Sequence, residues 1–339
     1  MRRRWFVFVI GLIVSLSFLW YALRDLHLGE VWAALQGANY WWLIPGVVVY
    51  FVSVWFRAWR WGFLLRSSKR VSANRLFPVV VIGYMGNNIF PFRAGELLRS
   101  YVLRQREDIP ISSSLATVIV ERVFDGLVML AFVFIALPLT PIPGDNDGRI
   151  RAIVSLASVA FFGAMILFFI LAAYPDRFLS IAHWFSDRLL PGRIAEPLLG
   201  FLERFMSGLA SLRSFRNVIM IFFTSVLIWL LETVKYWFVM HAFNFEVSFF
   251  ALMLMNGVVN LATTLPSAPG YVGTFDEPGI EILKLYGIDG NIAAAYTLVL
   301  HAALWLPVTL LGFYYMLRDG MSWSELSQAM EGTEGETII

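Results

Sequence analysis

The sequence places ionisable and amide side chains within stretches that are otherwise strongly apolar. A charged group that faced lipid would be costly, so such groups usually face a cavity and mark a pathway. We therefore predict a polar substrate-binding site inside the membrane. Its candidate residues are Arg57, Arg60, Asn87, Asn88, Arg93, Glu96, Arg99, Glu121, Arg122, Asp125, Glu232, Lys235, Asn260, Asp276, Glu277 and His301.

Arginine is the residue type in this set that is best suited to phosphate, because its planar fork binds two oxygens and stays charged when desolvated. Arg93, Arg99 and Arg122 near the N-terminus of a half-helix would form an anion site. Glu96 and Glu121 would hold these arginines in place or carry protons. The alternative is a set of internal ion pairs that only pin helices together.

Two charged pairs lie in the body of apolar segments. Arg57 and Arg60 are near the predicted inner end of one segment, where long side chains can reach the membrane surface, and Arg60 is placed better for this. Glu232 and Lys235 are three residues apart on a predicted helix, so they can pair with each other.

Catalytic chemistry has less support in the sequence. It contains no Ser/His/Asp arrangement, no Gly-rich phosphate loop, no carboxylate/His metal cluster and no cysteine. The four histidines are scattered without ligand spacing. We therefore expect no enzymatic activity, no cofactor, no metal and no nucleic-acid partner.

Composition indicates an all-α, polytopic membrane protein. Of 339 residues, 59% are hydrophobic and 15% charged, whereas a soluble protein carries about 25% charged residues. Six stretches have the length and apolar character of spanning helices: about 5–23, 42–65, 116–138, 152–173, 217–241 and 290–317. The first is interpreted as a retained signal anchor, because Phe18 to Tyr21 form no small-residue cleavage site.

Two shorter apolar stretches, 76–92 and 249–268, contain Gly and Asn and run into Pro/Gly turns. Broken backbone at membrane depth is tolerated only where protein or a water-filled cavity satisfies it. We predict two re-entrant helical hairpins, at 76–100 and 249–284. The alternative is an ordinary helix followed by a surface loop.

The basic residues predict the orientation, because cytoplasmic loops are enriched in Lys and Arg. Arg2, Arg3 and Arg4 place the N-terminus in the cytoplasm, and six spans return the C-terminus there, in a cell (inner) membrane. The predicted parts are an anchor helix and loop (1–41), a first repeat (42–173), an interfacial helical connector (174–216), a second repeat (217–318) and an acidic tail (319–339).

An offset of about 175–179 residues aligns features of the two halves. The matched positions are Arg57 with Glu232, Arg60 with Lys235, Pro91 with Pro266, Gly95 with Gly270 and Arg122 with His301. The predicted hairpins enter from opposite faces, so the halves would be inverted. Inverted repeats with broken helices are common among transporters. Chance similarity between apolar segments is the alternative.

Two runs, Arg93-Ala94-Gly95-Glu96-Leu97-Leu98-Arg99 and Glu121-Arg122-Val123-Phe124-Asp125, resemble a signature of the flippase-like domain family. That family includes the membrane region of lysylphosphatidylglycerol synthases. The segment from Leu265 to Asp276 is similar to the family's second signature, and the resemblance covers residues from about 5 to 318. Members often have Gly where this chain has Phe92, which would alter the first turn.

The resemblance implies translocation of a lipid across the bilayer. Members are associated with aminoacylated phosphatidylglycerol, hopanoid-related and polyprenyl-linked sugar pathways. The full synthases carry a soluble domain that aminoacylates the lipid. This chain has only a short tail after residue 318, so synthase activity is not expected.

Three functional hypotheses follow. The first is a flippase-like transporter of an anionic or phosphate-bearing lipid, phospho- or polyprenyl-linked, with membrane lipids as its partners. The second is a membrane partner subunit or enzyme of a lipid-linked glycan or lipid-modification pathway, which works with a separate lipid-modifying or glycosyl transferase. The third is a transporter of a soluble substrate. The sequence specifies no oligomeric state.

Overall fold

The structure is a computed structural model that describes residues 2–24, 26–90, 94–140, 215–265 and 267–321, with scattered positions between 155 and 199. The regular structure of these residues is helical, and no strand occurs among them. The helices before residue 140 are α1 (Arg2–Leu23), α2 (Leu28–Gly37), α3 (Leu43–Leu64), α4 (Ala73–Ile89), α5 (Gly95–Glu107) and α6 (Ile111–Leu139). Those after residue 214 are α7 (Phe215–Met240), α8 (Phe249–Ala262), α9 (Asp276–Leu285) and α10 (Gly290–Arg318).

Three helices of the described chain are long and apolar enough to cross a membrane: Tyr40–Leu64, Asn217–Met240 and Gly290–Arg318. They coincide with predicted spans, and the all-helical membrane protein is confirmed. Helices α1 and α6 follow the predicted spans at 5–23 and 116–138. Most of the predicted span at 152–173 and of the connector at 174–216, and the tail from residue 322, lie outside the described residues.

Side-chain caps fix where two of the second-half helices begin. Ser248 precedes α8, and its hydroxyl accepts a hydrogen bond from the Ala251 N–H at 3.1 Å. Asp289 precedes α10, and its carboxylate accepts from the N–H groups of Asn291 and Ile292. Such caps satisfy backbone donors that have no partner within the helix. The long apolar helix α10 therefore begins at a defined residue.

The helices pack mainly in pairs. Helix α3 lies against α7, α4 packs on α10, and α6 packs on α8. Within each half, α4 packs on α5 and α8 on α9. One core cluster of buried apolar side chains is centred on α3 and α4, a second on α7, α8 and α10, and a third between α6, α7 and α8. The polar site described below lies among these clusters.

Helices α4 and α5 cross at glycines. Gly86 of α4 lies beside Gly95, and a Cβ added to Gly95 would overlap the carbonyl oxygen of Gly83. Only a glycine permits this approach, because every other residue carries a Cβ atom. The crossing brings the start of α5, with its charged residues, against the last turns of α4.

Candidate functional site

Arg60 on α3 and Asp125 on α6 form a buried two-point ion pair. The two terminal nitrogens of Arg60 lie 2.7 and 3.2 Å from the two carboxylate oxygens of Asp125, and each residue is 1% exposed. Arg60 also donates to the Ser225 hydroxyl, and the Trp229 ring N–H donates to Asp125 at 3.1 Å. The expectation that Arg60 extends to the membrane surface is therefore wrong, since buried partners hold its charge inside the bundle.

Glu121 extends this layer toward α5. One of its oxygens accepts from Arg99 at 2.5 Å, and the other lies 3.6 Å from Arg60. The Arg99 guanidinium also lies over the Trp61 ring, 4.7 Å from its centre. Arg99 is thus engaged by a carboxylate and an aromatic face of its own chain. For Arg60, Arg99, Glu121 and Asp125, the geometry is that of internal ion pairs.

Glu232 is another buried carboxylate and lies where α3 meets α7. It accepts from the Ser53 hydroxyl at 2.8 Å, contacts Arg57 at 3.4 Å and pairs with Lys235 on its own helix. The Lys235 ammonium also lies 4.8 Å from the ring centre of Tyr50. A carboxylate and an aromatic ring therefore enclose this ammonium, an arrangement that stabilises cations.

A cavity of about 130 Å³ lies beside these pairs. Its polar lining consists of Arg57, Asn87, Asn88, Arg122, Glu232, Lys235, Asn260 and His301, together with Thr263. Its aromatic lining consists of Tyr50, Tyr84, Trp229, Tyr236, Tyr271, Phe275 and Trp305. Both halves of the chain contribute to it, so half of the predicted site residues share one cavity.

A smaller recess lies next to it, where α4 crosses α5. Glu96 and Arg99 line this recess, and Asn87 and Arg122 line both spaces. Arg122 and Glu96 form an ion pair with a nitrogen-to-oxygen distance of 3.2 Å. Arg122 therefore connects the recess to the cavity. Its side chain is 34% exposed, more than those of the buried Arg57, Arg60 and Arg99.

The other three predicted residues, Asp276, Glu277 and Arg93, differ in what the structure shows of them. Asp276 does not line the cavity but contacts His301, which does. Glu277, in the first turn of α9, is among neither the residues of the cavity nor those of the recess. Arg93 lies outside the described residues, so its predicted place in the anion site stays a prediction.

His301 lies between two oxygen atoms. Its Nδ1 is 2.8 Å from a carboxylate oxygen of Asp276, and its Nε2 is 2.7 Å from the carbonyl oxygen of Gly270. The other carboxylate oxygen of Asp276 accepts from the Gly273 N–H at 2.9 Å. One histidine and one carboxylate thus hold the loop between α8 and α9 against α10.

Sequence reasoning missed the neutral partners in this site. Along α7, spacings of four, three and four residues place a set of side chains on one helix face. This set consists of Ser225, Trp229 and Tyr236 together with the predicted Glu232. Periodicity around the charged Glu232 could have identified that face. The Ser53 hydroxyl, which reaches Glu232 from α3, has no comparable signal.

The described part of the chain contains no group of three or more His, Asp or Glu side chains that could hold a metal ion. The lining of the cavity offers cations, amides and aromatic rings to a bound group. Arg57 and Arg122 stay protonated at any pH at which a protein is folded. Both can engage an anion without losing charge to desolvation.

Comparison with known proteins places the chain among membrane proteins. A UPF0104 membrane protein of Methanothermobacter thermautotrophicus is 28% identical over 76% of this chain and 77% of that protein. A UPF0104 membrane protein of Methanocaldococcus jannaschii is 24% identical over 91% of this chain and 94% of its own length. No solved structure matches significantly.

A third relative is the glycosyltransferase AglD of Haloferax volcanii. It is 30% identical over 90% of this chain, and the chain spans about half of its length, 53%. The family model described as the lysylphosphatidylglycerol synthase transmembrane region matches residues 8–312. The chain therefore belongs to the family of the lysylphosphatidylglycerol synthase transmembrane region.

Proposed function

We propose that the protein is a lipid flippase-like transporter that moves an anionic or phosphate-bearing lipid, phospho- or polyprenyl-linked, across the cell membrane. The observation that carries this proposal is the cavity in which Arg57, Arg122 and Lys235 are brought together by three different helices. Cations buried in a membrane protein mark a pathway for charge. A headgroup would enter this cavity while the acyl or prenyl chains stay in the bilayer.

The proposed architecture has six spans, two re-entrant hairpins and cytoplasmic termini, in two inverted repeats. The helix bounds support the repeat, because α3, α4, α5 and α6 match α7, α8, α9 and α10 in order and in approximate length. The packing also supports it. Helix α4 lies on α10 as α6 lies on α8, and α3 pairs with its own counterpart α7. A two-fold relation between the halves would produce these reciprocal contacts.

The charged groups of the cavity favour an anionic headgroup over a cationic one. The Nε of Arg57 is buried and has no hydrogen-bond partner within the described residues. Lys235 already fills the niche between Glu232 and Tyr50 that an ammonium group would prefer. A phosphate at Arg57 and Arg122 would supply the missing acceptor.

The cavity volume limits what can bind. A space of about 130 Å³ holds several water-sized groups. It is too small for a complete lipid, so only the headgroup would be enclosed. This supports transport in which the polar part is shielded and the apolar part remains in the membrane, and it does not require a chemical reaction.

Reconstitution of the purified protein into vesicles tests the proposal. Fluorescent phosphatidylglycerol and a fluorescent polyprenyl-phosphate sugar are placed in the vesicles, and their exposure to an impermeant quencher is followed over time. Arg122→Ala should abolish translocation of the lipid that the wild-type protein moves. Arg104→Ala is the matched control, because Arg104 is an exposed arginine on α5. Normal translocation by folded Arg122→Ala would overturn the site, and no translocation by the wild-type protein would overturn the function.

The second candidate function is a membrane partner of a lipid-modifying or glycosyl transferase. The observation that favours it is the similarity to the glycosyltransferase AglD over 90% of this chain. If this function is correct, the protein alone moves no lipid, and it copurifies with a transferase from its native membranes. A complete translocation cycle by the protein alone would exclude a role that depends on a transferase.

A further inference from the structure

His301 is hydrogen-bonded through both ring nitrogens to groups that can only accept. Asp276 provides a carboxylate oxygen to Nδ1 and Gly270 provides a carbonyl oxygen to Nε2, at 2.8 and 2.7 Å. A neutral imidazole carries one N–H, whereas the imidazolium carries two. We infer that His301 is a proton-binding latch, whose second ring proton holds the α8–α9 loop against α10, where the loop forms one wall of the cavity.

Loss of one proton would break one of the two contacts. The remaining N–H stays on Nδ1, because the carboxylate of Asp276 is a stronger acceptor than a carbonyl. The lone pair of Nε2 then faces the Gly270 oxygen at hydrogen-bond distance, which is repulsive. The proton passes to water in the cavity, and the loop separates from His301 at Gly270.

The loop has a backbone that needs such restraint. Gly270, Tyr271 and Gly273 have φ angles of 73°, 61° and 83°. The left-handed conformation is unfavourable for Tyr271, because its side chain crowds the backbone there. Residues in unfavourable backbone conformations cluster at switch regions, where contacts with the surrounding structure maintain these conformations. His301 and Asp276 supply these contacts from one side of the loop.

Release would be local, because α1 holds the other end of the loop. The N–H of Ala268 donates to the Ser15 hydroxyl at 2.8 Å. Gly270 packs beside the Trp305 ring and near the carbonyl of Asn88, at the end of α4. Movement at Gly270 would therefore separate the loop from both α10 and α4, along one wall of the cavity.

The first half of the chain has a counterpart that cannot titrate. Under the proposed repeat, Arg122 corresponds to His301. Each contacts a carboxylate in the first turn of a short helix, Glu96 of α5 and Asp276 of α9. An arginine stays protonated, so Arg122 does not release a proton as a histidine can. Of these two pairs, the one between His301 and Asp276 is the one whose cation can lose its proton near neutral pH. This comparison of the two halves rests on the repeat in the proposed function, whereas the contacts of His301 are independent of it.

The other charged groups around the cavity leave His301 as the group that changes charge near neutral pH. They are Arg57 of α3, Arg122 of α6, and Glu232 and Lys235 of α7, and Asp276 of α9 contacts His301 itself. Helix α4 contributes amides and Tyr84. The two arginines stay charged, and Glu232 and Lys235 neutralise each other. Histidine is the side chain whose ordinary titration falls in this range.

Thiol labelling of the full-length protein in membranes tests the latch without any transport assay. The chain has no cysteine, so one thiol is introduced at a time. Thr263→Cys places it on the cavity wall at a position that is 6% exposed. Ser68→Cys provides an exposed reference, and the ratio of the two labelling rates removes the common effect of pH on thiol reactivity.

We expect this ratio to rise roughly tenfold between about pH 5.5 and about pH 9, as one charge-assisted hydrogen bond is lost. His301→Arg should keep the ratio low at every pH, and His301→Gln should make it independent of pH. His241→Gln is the matched control, because His241 contacts Trp237 and is not part of the cavity lining. A constant ratio in the wild-type protein, or loss of the pH response in His241→Gln, would overturn the latch. A pH response without lipid movement would leave the latch intact and count against transport alone.

Discussion

Arg60 and Asp125 face each other through two nitrogen–oxygen contacts, 2.7 and 3.2 Å long, between α3 and α6. Each residue is 1% exposed. The desolvation of two such charges offsets much of their attraction, so the pair adds little net stability over apolar residues. The pair matters for stability when one partner is removed, because the other charge would then be buried without a counter-charge. The pair therefore fixes which helix faces meet more than it strengthens their contact.

We predict that Asp125→Ala destabilises the protein by about 3–5 kcal/mol, the usual cost of leaving a buried charge unpaired. The measurement is denaturant-induced unfolding in detergent micelles. Glu281→Ala is the matched control, since Glu281 pairs with Lys284 at 2.7 Å on the exposed face of α9. Its loss should change stability by less than about 1 kcal/mol.

A double-variant cycle sharpens this prediction. Arg60→Ala combined with Asp125→Ala removes both charges, so the combined loss should be smaller than the sum of the single losses. Additive losses would show that the two charges act independently and would contradict the pairing.

The α4–α5 crossing leads to a second prediction. Gly95→Ala adds a Cβ that overlaps the Gly83 carbonyl oxygen, so α5 must move away from α4. Overpacking of this kind costs about 1–3 kcal/mol. Gly126→Ala on α6 is the control, because nothing lies within 4 Å of its added Cβ. Alanine should stabilise that helical position by about 0.5–1 kcal/mol. Thermal unfolding in detergent compares the two variants, and equal midpoints would show that the crossing tolerates a side chain.

The long helices could be predicted from sequence because their signal is local. Tyr40–Leu64, Asn217–Met240 and Gly290–Arg318 are continuous apolar runs, and lipid requires such runs to satisfy their backbone internally. The membrane class and the family followed from the same local information.

The partners of the buried charges could not be predicted, because they depend on tertiary packing. Arg60 was expected to reach the surface, yet Asp125, which is 65 residues away, holds it inside. Asp276 and His301 were both candidate residues, but their contact with each other and with Gly270 requires the loop geometry. Residue type thus indicated which side chains matter, and only the fold shows which of them line the cavity.

A third prediction concerns headgroup selection by Lys235. Its ammonium occupies the niche formed by Glu232 and Tyr50 and would repel a cationic headgroup from it. We expect Lys235→Ala to increase translocation of an amine-bearing lipid relative to phosphatidylglycerol about threefold to tenfold, since cation–aromatic and charge contacts of this kind have that strength. The ratio of initial rates in vesicles is the measurement.

Lys284→Ala is the control for this ratio, because Lys284 also pairs with a carboxylate three residues away but lies on an exposed helix face. An unchanged ratio in Lys235→Ala, with the variant folded, would show that Lys235 does not select the headgroup. If translocation of both lipids slowed while the ratio stayed constant, Lys235 would instead stabilise the cavity without selecting the headgroup.

The last prediction concerns Asn88, which joins the two halves at the end of α4. Its amide nitrogen donates to the Thr309 hydroxyl at 2.8 Å and to the Trp305 carbonyl at 3.3 Å, and the Trp305 ring N–H donates to the Asn88 carbonyl. Asn88→Ala removes the two side-chain hydrogen bonds from α4 to α10, while the Thr309 hydroxyl still donates to the Trp305 carbonyl. We expect a destabilisation of about 1–3 kcal/mol, because each lost hydrogen bond costs about 0.5–1.5 kcal/mol.

Asn74→Ala is the matched control, since Asn74 accepts from the Trp55 ring N–H at 3.0 Å on the exposed side of α4. Water can replace that bond, so stability should change by less than about 1 kcal/mol. If the halves must separate at Asn88 during transport, Asn88→Ala should also label faster at a thiol introduced at Thr263. Loss of stability without faster labelling would restrict Asn88 to stabilising the fold. Unfolding measures complete separation of the helices, whereas labelling measures opening of the cavity in the folded protein.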